Sequence, residues 1–402
     1  MGSATEIGVD SPPGAAAALR STRAIRERAA VLTDRARSGQ SRWFTVDDDA
    51  LDSAAALVAD VTRGNYPDLR IPFHSRWRHF EAGGVDRRAL LGDADPRALV
   101  DLTVVSVLLD AGAGPDWCYT EPGTGLRLSR SEGLGVASFH AFTAGLFSSD
   151  ADDRLRVDAA GLAGITTHQL AGAFQVDEAN PLVGLDGRVA LLHRLGAVCA
   201  ASPEIFGADG RPGGLLDFVG GQSVRAHDIL SAVLTALAAI WPGGSRIGDQ
   251  PLGDCWRHTA LDGPGLTAGW MPFHKLSQWL TYSLLEPFSW AGVTVTDLDE
   301  LTGLAEYRNG GLLLDTGVLR LRGDTYGSLT AADEWVVEWR ALTVALLDEL
   351  APLVRARLGV DAAEMPLARV LEGGTWAAGR MLAQQRRGGL PPLSIVSDGT
   401  VF

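Results

Sequence analysis

Apolar residues recur at helical spacing along most of this chain, while strand-like alternation is scarce. That asymmetry confines the chain to helix-on-helix packing, since each amphipathic helix must bury its stripe against another. The spacing predicts helices over residues 15–38, 47–62, 96–109, 186–201, 226–241, 273–286, 331–350 and 366–387. In the second of these, Leu51, Ala55, Val58 and Val61 form one stripe. Gly39 reads as a helix stop, Pro287 as the end of the helix before it, and Thr330 with Asp333 as a capping box. Residues 312–321 (LLLDTGVLRL) and 293–296 are the strand candidates, and 71–84 reads as a loop rich in aromatic and basic residues. Glycine-rich breaks at 207–214, 220–221, 243–248 and 263–269 read as loops between helices. The expected architecture is a disordered tail over 1–14 and one mainly α domain over 15–402 with a small β element.

Composition narrows the function classes. With 46% hydrophobic and 21% charged residues, the chain has the make-up of a globular protein with a sizeable core. A net charge of −14 disfavours nonspecific binding to nucleic acid or an anionic membrane, so neither is an expected partner. Cys118, Cys199 and Cys255 are too few and too scattered for a disulfide framework, and a reducing cytoplasm is the expected location. The first residues lack the apolar stretch of a secretory signal. Glu6 stands where a myristoylation signal wants Ser or Thr.

The chemistry-bearing motifs are sparse. Residues 104–117 (VVSVLLDAGAGPDW) place an acid and Gly-x-Gly after an apolar run, as a methyltransferase motif does. No second strand–helix unit follows, so a helix ending near Gly112–Gly114 is the ordinary reading. Asp110 has no acid beside it, which excludes a phosphoribosyl-pyrophosphate loop. The eight histidines show no H-E-x-x-H spacing or Cys/His cluster, and no metal or cofactor is expected. Cys118 reads as a structural thiol. Residues 273–311 carry more. Phe273, Leu276, Leu280 and Leu284 form a core stripe, and Lys275, Gln278 and Tyr282 lie on another face, which periodicity alone makes a solvated one. Glu306, Tyr307 and Arg308 follow as an acid–phenol–cation run. Glu338 and Arg340, two apart, cannot share one helix face closely.

The strings LRSTRAIRER, IPFHSRWRHFEAGGVDR, LLDAGAGPDW, NPLVGLDGRVALLHRLG, MPFHKLSQWLTYSLLEPF, LAEYRNGGLLLDTGVL and LARVLEGGTWAAGR run almost end to end. Together, over roughly residues 18–402, they resemble the uracil catabolism protein 4 (Urg3-type) family. That resemblance implies a place in a uracil-degrading route that passes through a ribosylated urea and releases urea. A more distant resemblance joins NPLVGLDGRVALLHRLG, FHKLSQ, LTGLAEYRNGGLLLDTGVL and EWVVEWRA to the queuosine salvage family. Those proteins are helical, similar to DNA glycosylases, and hydrolyse the N-glycosidic bond of a modified nucleoside 5′-phosphate. By that resemblance Lys275 and Gln278 match one motif, and Glu306, Tyr307 and Arg308 a second, with Glu306 where the family has a catalytic Asp. Glu338, Arg340 and Ala341 match a third. Asp116 and Trp117 lie where the family places an aromatic base-binding segment, and Asn309–Gly310 replaces its Pro-Gln.

The resemblance implies hydrolysis of an N-riboside, with Glu306 stabilising oxocarbenium charge or positioning water. Tyr307, His274 and solvent are the candidate proton donors to the leaving group. Lys275, Arg308 and Arg340, or alternatively the His74, Arg76, Arg78 and His79 cluster, would hold a 5′-phosphate. Trp117 would stack on a planar base or urea. The expected partner is a small ribosylated molecule. Two other classes stay open: a ribose-phosphate transferase of the same route, and a noncatalytic ligand-binding partner of a pathway enzyme.

Overall fold

The computed structural model describes residues 8–241, 245–323, 329–393 and 395–396. The protein is mainly α, and its described strands are of two or three residues. The chain divides into two compact units, each discontinuous in sequence.

The first unit comprises Met1–His74, Gly244–Gln278 and Asp297–Val396. Its centre is the helix Glu334–Leu358, flanked by Thr22–Arg37 and Asp49–Asn65. From Trp335 to Val344 every residue of that helix is buried, so this stretch is enclosed on all sides. Glu338 and Arg340 therefore both point inward, and each is matched by a partner described below. Asp333 is the N-cap of this helix and accepts from the Thr330 N–H and hydroxyl at 2.6 and 2.9 Å, so the helix starts at Glu334, three residues later than the spacing suggested. Residues 312–321 divide into two elements: Leu312 closes the last turns of helix Tyr307–Asp315, and only Leu319–Leu321 is a strand, antiparallel to Phe44–Val46. The tail expectation also shortens. Residues 1–7 lie outside the described residues, but a helix opens at Pro12, where Ser11 caps Gly14 N–H and Ala15 and Ala16 are fully buried.

The second unit comprises Ser75–Gly243, Trp279–Thr296 and Ser397–Phe402. Helix Pro96–Leu108 runs through it, buried at every position from Ala98 to Leu108. Arg130–Thr143 and Leu185–Ala201 pack on it. Ser223–Arg225 pairs in parallel with Thr294–Thr296, within the strand expected over 293–296. The 71–84 segment is not all loop, since Arg76–Phe80 is a short helix capped by Ser75.

Helix Lys275–Trp290 begins in the first unit and continues into the second. It does not stop at Glu286 but carries Pro287 inside it. The proline forfeits one helical hydrogen bond, a cost of about 3 kcal/mol. Full burial of Leu284, Leu285 and Phe288 on the same turns offsets that cost. Gln278 and Tyr282, expected on a solvated face, are 1% and 0% exposed.

Candidate functional site

The start of helix Lys275–Trp290 is organised by an acid from another segment. His274 has φ 50° and turns the chain into the helix. The Phe273 and His274 N–H groups donate to the Asp254 carbonyl at 2.9 and 3.1 Å, and the Lys275 N–H donates to Asp254 Oδ2 at 2.9 Å. Asp254 thus caps the helix from outside, where orphan N–H groups and the dipole favour an anion. The Trp256 indole donates to its Oδ1 at 2.6 Å, and Arg340 closes a two-armed pair at 2.8 and 2.7 Å. Burial alone would raise this carboxyl. The Arg340 charge, its hydrogen bonds and the Lys275 N–H outweigh burial and hold it well below the usual carboxylate range.

The geometry gives two of the candidate residues contacts within the protein. Arg340, 2% exposed, lies 4.0 Å from the Phe273 ring and is paired with Asp254, contacts that give it a structural role. His274, 4% exposed, donates through Nε2 to Leu19 O at 3.0 Å. Burial lowers its pKa from the ordinary histidine value. Lys275 is half-buried at the helix start.

Gln278 and Arg340 act together on the segment before Glu306. Gln278 Nε2 donates to Thr302 Oγ1 at 2.8 Å, and Arg340 Nε donates to Ala305 O at 3.4 Å. Glu306 follows as the N-cap of helix Tyr307–Asp315, its Oε2 accepting from Arg308 N–H at 2.9 Å and Oε1 from Asn309 N–H at 2.7 Å. The carboxylate is fixed in orientation by two backbone donors yet keeps further lone pairs, and its side chain is 14% exposed.

Arg308 lies with its guanidinium 4.7 Å from the Tyr307 ring and 4.7 Å from the Trp376 ring. Its Nη1 is 3.9 Å from Glu306 Oε2. Trp376 opens the last helix directly after a π-helical turn, Leu371–Thr375. Such turns widen a helix and are frequent at functional sites. This one presents Glu372, whose Oε2 accepts from His74 Nδ1 at 2.7 Å, while Tyr66 OH donates to Oε1 at 3.4 Å. The His74 ring is 6.1 Å from that of Trp376. Gly379 makes the close approach of the last helix feasible, because a Cβ there would fall 2.2 Å from Arg308 O. Glu306, Tyr307 and Arg308 are thus brought together with Trp376, and Trp376 with His74. The sequence reading did not single out Glu372 and Trp376. The string LEGGTW, with paired glycines ahead of a tryptophan, was the available signal.

The remaining candidates sit elsewhere. Glu338 is 2% exposed and accepts from the Ser41 hydroxyl and from His258 Nε2 at 3.3 Å. His258 Nδ1 accepts from Ala260 N–H at 3.1 Å, which assigns the ring proton to Nε2. Glu338 is therefore a buried strut. Asp116 and Trp117 belong to the second unit. Asp116 is exposed, whereas Trp117 is 1% exposed and donates its indole N–H to Phe174 O at 3.0 Å, as a core residue does. The basic cluster separates as well. His74 pairs with Glu372 in the first unit. In the second, Arg78 pairs with Glu286 at 2.7 Å and Arg76 with Asp110 at 3.0 Å.

Among the described residues no three His, Cys, Asp or Glu side chains converge as a metal site requires, and no helix is long and apolar enough to cross a membrane. The family model described as "Protein of unknown function (DUF1688)" matches residues 18–402. The chain is 37% identical to "Uracil catabolism protein 4" of Lachancea kluyveri, over 90% of this chain and 93% of that protein. It is 39% identical to "Protein urg3" of Schizosaccharomyces pombe, over 96% and 98%. The chain belongs to this family.

Proposed function

We propose, with membership of this family as the premise, that the protein serves uracil catabolism by hydrolysing the N-glycosidic bond of a ribosylated urea or a related N-riboside, with or without a 5′-phosphate. The observation that carries the reading is the corner formed by Glu306, Tyr307, Arg308 and Trp376. Cleavage of an N-riboside places positive charge on the sugar. A carboxylate held rigidly by the Arg308 and Asn309 N–H groups opposes that charge without reorganising and can orient the attacking water. Arg308, fixed between two rings, supplies a planar cation for a sugar hydroxyl or phosphate, with Lys275 as the second cation. Tyr307 remains the candidate donor to the urea leaving group. His74, oriented by Glu372, adds an acid–base group on the Trp376 side.

The test is urea release from ribosylurea and from its 5′-phosphate by the purified chain and by Glu306→Gln. Gln keeps an oxygen for the cap and loses the charge. Turnover should fall about 10²–10⁴-fold with the fold intact. A variant that keeps more than about a tenth of the wild-type rate refutes the role of Glu306. Binding of ribosylurea without urea release favours the noncatalytic reading, which the capping role of both Glu306 oxygens supports.

A further inference from the structure

We propose that Arg76 and Asp110, in the second unit, form a binding site for the carbonyl–N–H edge of a neutral amide or urea group. The proposal does not rest on the reading of Glu306. Other buried or half-buried arginine–carboxylate pairs among the described residues close both arms, as Arg340 does with Asp254, Arg87 with Glu121, and Arg387 with Asp315. Arg76 and Asp110 close only one, Nη1 to Oδ2 at 3.0 Å. Arg76 Nη2 and Asp110 Oδ1 are both buried and meet no hydrogen-bond partner among the described residues. Buried polar atoms are rarely left so. Here a donor and an acceptor are left open on one ion pair, whose side chains are 0% and 9% exposed.

The surroundings are built to hold those two atoms still. Arg76 Nε donates to Ser106 Oγ at 2.7 Å, which lies 2.6 Å from Ser138 Oγ, and Ser138 donates to Gly135 O at 2.8 Å. The chain of donors therefore runs one way, from the guanidinium to the helix backbone. Gly135 lets helix Arg130–Thr143 approach helix Arg76–Phe80 closely, because a Cβ there would be 2.8 Å from His79 Cβ. Arg188 fixes the loop that carries Asp110, donating to Leu109 O at 3.1 Å and Ala111 O at 2.8 Å. Asp110, His79 and Ser131 are half-buried and Gly112 is exposed, so the buried pair lies beneath a partly exposed layer.

The chemistry selects the ligand class. An anion would meet the Asp110 carboxylate, and a cation would meet Arg76. A neutral planar group with an acceptor and a donor on adjacent atoms satisfies both open positions, and an amide or urea has that edge. Gly112, two residues after Asp110, is exposed and brings no side chain to that layer.

The experiment is a calorimetric titration of the full chain with N-methylurea and acetamide, with inorganic phosphate as the charge control. The two amides should compete for one site, and phosphate should displace neither. Asp110→Asn should weaken both about tenfold or more, the equivalent of a lost charge-assisted hydrogen bond. Its amide turns its oxygen to Arg76 and leaves an N–H facing the ligand's own N–H. Exposed Asp152→Asn should bind as wild type does. Equal affinity in Asp110→Asn, or displacement by phosphate, overturns the proposal. A wild-type crystal soaked in N-methylurea decides without any variant: the ligand carbonyl on Arg76 Nη2 and its N–H on Asp110 Oδ1 supports the site. A water bridging those atoms in the presence of the probe refutes it. None of these readouts depends on turnover, so failure here and failure of the Glu306 hydrolysis reading are distinguishable.

Discussion

Removing the Asp254 carboxylate should destabilise the first unit severely. Asp254→Ala leaves the Arg340 guanidinium, 2% exposed, without its counter-charge. Breaking such a pair costs about 3–5 kcal/mol. The Lys275 N–H and the Trp256 indole lose their acceptor in the same step, which places the expected loss toward the upper end of that range. Against a total stability of about 5–15 kcal/mol, that is a third or more. Calorimetric melting gives the global effect, and hydrogen exchange at the start of helix Lys275–Trp290 gives the local one. A double-mutant cycle with Arg340→Met isolates the pair, and the double variant should be less unstable than the two single losses combined. The contribution also has a pH signature. Folding lowers the Asp254 pKa, so the pair stabilises fully above the ordinary unfolded carboxyl value of about 3.9. The stabilisation is lost as pH falls through the lower folded value. The gap between wild type and Asp254→Asn should therefore be constant near neutrality and narrow in acid. A loss under about 1 kcal/mol for Asp254→Ala, or an additive cycle, would refute the reasoning.

Glu306→Ala and Glu306→Gln should separate capping from chemistry: the alanine variant loses about 0.5–2 kcal/mol by thermal melting, while both lose urea release. Gly379→Ala forces a Cβ to within 2.2 Å of Arg308 O, and should cost about 1–3 kcal/mol with weaker substrate binding read as a raised KM. Trp376→Leu removes one ring from Arg308, and a rise in KM larger than the fall in kcat is the expected split in steady-state assays. Glu121→Ala strands Arg87, which is 0% exposed, and should cost about 3–5 kcal/mol on denaturation. Glu27→Ala, on an exposed helix face, should leave the melting temperature unchanged.

Most helices were legible because their apolar spacing is local: 96–109, 186–201 and 226–241 match the observed elements closely, although the last ends in a separate 3₁₀ turn at Ala238–Ile240. Helix Arg130–Thr143 escaped notice because Gly133 and Gly135 weaken its helical signal. Their cause is tertiary: a Cβ at Gly133 would lie 2.5 Å from Leu128 O, and one at Gly135 would crowd His79. Pro287 misled for the same reason, since burial of the neighbouring turns overrode a local rule. In the site, Glu306, Tyr307 and Arg308 are contiguous and could be read as a unit. Asp254 could not, because the residue that explains it, Arg340, lies 86 positions away. Nor does spacing reveal that Gln278 grips Thr302, or that Trp376 returns to Arg308. Long-range pairing decides which polar residues are struts and which face a ligand.

The discontinuity of the first unit has a consequence for biosynthesis. Helices Thr22–Arg37 and Asp49–Asn65 emerge early from the ribosome, but the helix that covers their apolar faces, Glu334–Leu358, emerges last among the three. At about 5–20 residues per second, those faces wait for roughly 15–60 s while the intervening chain is synthesised. During that interval Ile25, Leu32 and Val58, all fully buried in the finished protein, are open to chaperones and to one another on neighbouring nascent chains. Yield in a foreign host should therefore respond more to translation speed and chaperone supply than to the stability of the folded protein.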